Sequence, residues 1–137
     1  MTVTIPAQTD EIRIVERAPT ATDAQLLLQL IQTGAATGAD EGWSLLQAFD
    51  SPPTMSQLRR RHPQGTVEYR QVGAFLESCE TLGTFVKHGL IHRGLTHDLF
   101  WVAGAWRICE KLCRALRKEA GEPRLFENFE ALARTGD

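Results

Sequence analysis

The sequence predicts an all-α fold, a small helical bundle. Two observations predict it. From about residue 20 onward, apolar side chains recur in steps of three and four, the spacing of one helix face. The stretches so marked open on Thr and close on Gly, residues that helix starts and ends favour. Size and composition agree with one ordinary domain: 137 residues, 42% hydrophobic and 23% charged. Surface scaling for such a chain buries roughly two-thirds of its area on folding, enough for a core without staples. That composition excludes a fibre and a wholly disordered chain.

Residues 1–19 are Thr-rich, with Pro6 and Pro19 and with Ile12 and Ile14 alternating among charges. Period two is the strand signature, so an extended arm or short edge strand is expected, a disordered tail being the other reading. A single helical domain is expected over 20–137. Thr22 with Gln25 has the spacing of a capping box ahead of Leu26, Leu27, Leu28, Leu30 and Ile31, and Gly34 and Gly38 stop that helix. A second helix starts near Asp40, carries Trp43, Leu45, Leu46 and Phe49, and cannot pass Pro52 and Pro53. Thr54 with Gln57 repeats the box and opens a short basic helix that ends before Pro63.

Thr66 caps a long segment whose apolar positions are Val72, Phe75, Leu76, Cys79, Leu82, Gly83 and Val86. Gly89 sits where a left-handed C-terminal cap belongs, with Leu90 and Ile91 as the hydrophobic contact after it. Thr96 is then expected to cap the second long helix, with His97 and Asp98 in its first turn. Leu99, Phe100, Val102, Ala103, Trp106, Ile108, Cys109, Leu112, Cys113 and Leu116 cover most of that helix. Its polar stripe is Arg107, Glu110, Lys111, Arg114, Arg117 and Lys118, with basic residues favourably placed at the dipole's negative end. This is expected to be the most deeply buried helix. Gly121 ends it, and Pro123 fits the first position of a closing helix bearing Leu125, Phe126, Phe129, Leu132 and Ala133. The sum is two long antiparallel helices with shorter ones packed across them.

Within residues 68–133, Phe75-Leu76-Glu77, Gly83, Lys87-His88-Gly89-Leu90-Ile91, a Trp-bearing helix, Arg117, Glu122-Pro123-Arg124 and Asn128-Phe129-Glu130-Ala131-Leu132 form a pattern. It resembles a family of small helical bacterial and archaeal domains known as a domain of unknown function. The resemblance covers about half the chain and implies an all-helical fold. It brings no activity and no catalytic residue.

Chemistry-bearing residues are few. Glu77 and Glu80 are neighbours on a helix surface, yet no His follows at the spacing of bundle di-metal sites, so a solvated face is expected. His88, His92 and His97 gather at the turn between the long helices, without a His-x-x-x-His or Cys-x-x-Cys pair in one element. Cys109 and Cys113 share a helix face as small packing residues, and with Cys79 they make an odd number of cysteines. That odd count, with no signal segment read at the N-terminus, favours a reducing cytoplasm as the expected setting. No stretch approaches the roughly 20 apolar residues a membrane span needs. Trp43, Trp101 and Trp106 suit either an aromatic pocket or core anchors. No phosphate loop, nucleophile elbow or zinc-protease motif occurs, and no cofactor or metal is predicted.

Charge is unevenly spread. Residues 1–57 carry two basic and seven acidic side chains, and residues 58–137 carry thirteen and ten, for a net −2. Arg59, Arg60 and Arg61 together with Arg107, Lys111, Arg114, Arg117 and Lys118 are therefore the candidate nucleic-acid contacts. The leading expectation is a cytoplasmic bacterial protein that is not an enzyme: an interaction or scaffolding module. It is expected to self-associate, because Leu26–Ile31 is apolar nearly all round. Nucleic-acid association is the alternative, and a metal or thiol sensor at the Cys and His residues is the next.

Overall fold

The computed structural model describes residues 16–136. Most of the expected arm, residues 1–15, lies outside them, and residues 16–20 belong to neither a helix nor a strand. Seven helices follow: α1 (Ala21–Thr37), α2 (Ala39–Gln47), α3 (Met55–Arg61), α4 (Val67–Lys87), α5 (Arg93–Leu99), α6 (Val102–Ala120) and α7 (Glu127–Arg134). No strand occurs among the described residues. The fold is an all-α bundle.

Several termini form as their residues dictate. Thr54 and Gln57 exchange both capping-box hydrogen bonds at α3, and Thr66 Oγ1 accepts from the Tyr69 amide at α4. At the end of α4, Gly89 turns left-handed (φ 74°) while Gly89 N–H donates to Val86 O and Leu90 N–H to Phe85 O. That is a Schellman ending, and it buries Ile91 rather than Leu90. Gly121 closes α6 the same way, with Glu122 N–H donating to Arg117 O.

Other expected boundaries shift. The box that starts α1 is Thr20 with Asp23, not Thr22 with Gln25, because Asp23 is a stronger reciprocal acceptor and is buried beneath the cap. Gly34 does not stop α1; it lies buried inside it, and Gly38 (φ 90°) ends α1 and begins α2 at once. Thr96 does not cap the second long helix. It is fully buried within α5, donating its hydroxyl to His92 O, and the chain breaks at Phe100 and Trp101 before α6. Pro123 falls in a turn, and α7 begins only after Phe126, which sits left-handed at φ 61°.

The core is built around α4, whose closest helix neighbours are α2 and α7. Both approaches use glycine. A Cβ on Gly42 would stand 2.0 Å from Gln71 O, and one on Gly83 would stand 2.2 Å from Asn128 O. Each helix pair therefore meets backbone to backbone, closer than any larger side chain permits. Helix α6 supplies the largest share of fully buried groups, including Cys109, Leu112 and Cys113, and Phe129 of α7 meets Trp106 edge to face at 5.1 Å.

Candidate functional site

The basic residues singled out above have separate surroundings. Arg59 is bidentate to Glu119 at 2.7 and 2.8 Å and also donates to Tyr69 Oη. Those acceptors hold its guanidinium protonated still more firmly than usual, and the guanidinium in turn pulls the Glu119 carboxyl below its ordinary range. Arg61 lies 4.0 Å over the Phe49 ring. Arg114 pairs with Glu110, while Arg117 donates to Leu125 O at 2.7 Å and Glu130 at 2.8 Å. Arg60, Lys111 and Lys118 are exposed, and Arg107 sits 5.4 Å from the Trp101 ring centre. Of the longer stripe, Arg117 ties α6 to the turn after it and to α7, whereas Arg114 pairs chiefly within α6.

Glu80 does not belong to a solvated face. Its Oε1 accepts from the Asn128 and Phe129 amides at 3.0 and 2.9 Å, and its Oε2 accepts from Asn128 Nδ2 at 2.9 Å. The carboxylate of one helix thus caps the N-terminus of another, where Phe126 offers no side-chain cap. Glu77 is exposed, as expected for a solvated position.

Asp23, unlike the half-buried Glu80, is a fully buried carboxylate. Its oxygens accept from Arg17 Nη1 and Nη2 at 2.7 Å each, from Thr20 N at 2.7 Å and Oγ1 at 3.0 Å, and from His92 N at 2.9 Å. The Arg17 guanidinium above all, against the cost of burial, holds its carboxyl far below the usual range. His92 is a cap: its Nδ1 accepts from Leu95 N at 2.9 Å, leaving Nε2 to donate to Arg17 O at 2.6 Å. Glu16 accepts from the Arg93 and Gly94 amides at 2.9 and 3.3 Å. Among the described residues no three of His, Cys, Asp and Glu are arranged to hold a metal ion.

The three cysteines converge from α4 and α6 closely enough that Cys113 raises the cost of ionising Cys79 and Cys109, and Cys79 that of Cys109. Burial dominates, and pushes the Cys113 thiol up to about 12 and those of Cys79 and Cys109 well above the ordinary range. Neutral, packed thiols are what these surroundings favour.

The aromatic residues do form a pocket, but with a different membership. Trp106 is buried in the core. Trp43 stacks on Phe75 at 4.9 Å, and with Phe100 and Trp101 they line a cleft of about 360 Å³ between α1, α2, α4 and the α5–α6 break. Leu30, Ile31, Leu82, Val102 and Ala105 complete its apolar walls, while Asp40, Gln47, Ser78 and Cys79 supply its polar atoms. A cleft of this size, mostly apolar with a few polar groups, is the usual form of a binding site.

Trp101 stands at its mouth, 62% exposed, with its indole lying flat on Gly104, where a Cβ would meet the ring at 2.0 Å. Ile31 and Leu28, one turn apart on α1, are 42% and 58% exposed. The sequence offered two signals for this site: a glycine three residues after Trp101 within an apolar helix, and Leu26–Ile31 too apolar for one face. The break at Phe100 that turns Trp101 outward had no such signal.

A family model described as a domain of unknown function (DUF4760) matches residues 19–135, well beyond the stretch whose motifs carried the resemblance. No curated protein and no solved structure matches the chain.

Proposed function

We propose that this chain, which belongs to the DUF4760 family of domains of unknown function, is a non-enzymatic interaction module that self-associates through the face bearing Trp101, Ile31 and Leu28. One observation carries the reading. A large aromatic side chain, packed on Gly104 and largely exposed, stands at the lip of an apolar cleft that Ile31 also lines, with exposed Leu28 one turn from Ile31 on α1. Rigid Trp, flanked here by Arg107, is the residue type that dominates interface energies, since little conformational freedom is lost when it docks. A second copy fits because exposed apolar groups on one patch can meet their own counterparts across a two-fold axis. Unpaired cysteines suit the cytoplasm as its setting. Nucleic-acid association draws less support, since Arg59, Arg114 and Arg117 already hold carboxylates.

Sedimentation across the micromolar range tests it. A reversible dimer is expected, dissociated by Ile31→Glu and weakened at least tenfold by Trp101→Ala, with helical content unchanged. A wild-type monomer throughout, or a dimer indifferent to both substitutions, overturns it.

A further inference from the structure

The cleft behind Trp101 has a chemistry distinct from that of its rim. Trp43, Phe75, Phe100 and Trp101 line it with aromatic rings, and among the described residues Asp40 is its only charged lining residue. The Asp40 side chain makes no ion pair or hydrogen bond with any described residue. Its Oδ1 stands 3.3 Å from where a Cβ on buried Gly34 of α1 would be, and both residues line the cleft. Arg107 touches Trp101 but does not line the cleft, so among the described residues no cation inside competes for the carboxylate. Aromatic faces are electron-rich, and a lone carboxylate beside them favours positive charge.

We infer that this cleft binds an organic cation, a protonated amine on an aromatic or alkyl tail. The tail lies against the Trp43–Phe75 stack and Val102, and the ammonium faces Asp40. The volume, about 360 Å³, lies in the range of small-ligand pockets. This inference rests on the cleft's lining, not on self-association, so either can fail alone.

Three probes with one carbon skeleton test it: 3-phenylpropylamine, 3-phenylpropanol and 3-phenylpropanoate. Binding is read from the indole N–H resonances of the nitrogen-15-labelled full chain, which report Trp43, Trp101 and Trp106 separately. The amine is expected to shift Trp43 and Trp101, to leave Trp106 in place, and to bind tighter than the alcohol, with the acid weakest. Asp40→Asn, at an exposed position that tolerates it, is expected to weaken the amine about tenfold and bring it level with the alcohol. Gly34→Ala, which covers Oδ1, is expected to weaken the amine more than the alcohol. Equal binding of acid and amine, shifts confined to Trp106, or no shift with any probe overturns the inference. Sedimentation of the same samples separates it from self-association: a monomer that binds the amine keeps this inference and loses the other, and a dimer that ignores all three does the reverse.

Discussion

Two glycines ten residues apart on α4 should respond to the same substitution with opposite signs. Gly73→Ala adds a methyl where nothing lies within 4 Å, so it gains helix propensity alone. About 0.5–1 kcal/mol of stabilisation is expected, which raises Tm by about 2–3 °C for a chain of this length. Gly83→Ala adds it 2.2 Å from Asn128 O and 2.5 Å from Asn128 C. Ordinary carbon contacts begin near ~3.5 Å, so α7 must retreat by roughly 1 Å. That retreat stretches the bonds from Asn128 N and Phe129 N to Glu80, now 3.0 and 2.9 Å, past useful length. Bonds to a charged acceptor contribute about 1.5–3 kcal/mol each, so even with the propensity gain a net loss of about 4 kcal/mol follows, or roughly 10–15 °C in Tm. Urea and thermal unfolding followed by circular dichroism measure both variants. A Gly83→Ala protein as stable as wild type, or a shared sign for the two, would refute the backbone-to-backbone contact.

Further outcomes follow from the same geometry. Glu80→Ala should cost about 2–4 kcal/mol by uncapping α7 and releasing Asn128, and chemical denaturation of Glu80→Gln should fall between it and wild type, since the amide still offers one acceptor. Because the folded carboxyl of Asp23 titrates below its unfolded value, the stability it contributes is complete above the unfolded pKa of about 3.9 and drains away as pH falls further. The gap between wild type and Asp23→Asn should therefore be constant from neutral pH to about pH 5 and narrow below about pH 4, and a gap that widens on acidification would contradict the assignment. All three thiols should react slowly with Ellman's reagent in the native protein and promptly in guanidinium chloride, and fast native labelling of Cys109 or Cys113 would contradict their burial.

What the sequence disclosed was local chemistry. Thr54 with Gln57, Thr66, Gly89 and Gly121 act within one turn of chain, so their spacing is enough to place a helix end. Tertiary contacts governed the rest. Two Thr-initiated patterns compete at α1, and only the burial of Asp23 against Arg17 and His92 selects the earlier one. Thr96 looks like a cap until its hydroxyl is seen spent on His92 O. Glu80 caps a helix 48 residues away, a pairing that no local spacing encodes. The resembled motif has a packing meaning: Gly83 admits Asn128, Glu80 holds its amide, Phe129 meets Trp106, and Glu130 ties Arg117 to Arg134. Of the candidate site, the aromatic members were legible as types. Which of them faced outward depended on a helix break.

The clasp of Glu16 and Arg17 has a kinetic consequence. Arg17 reaches Gly89 O, 72 residues along the chain, and Glu16 reaches the Arg93 amide, 77 residues along. Such contacts close a loop containing α1 to α4, so their entropy cost is met only once that loop is ordered, and they form late. Local opening of this end should conversely precede global unfolding. The amides of His92, Arg93 and Gly94 would then exchange with solvent faster than those of Leu112 and Cys113 in α6, a difference in protection that timestamps the order in which the chain comes apart.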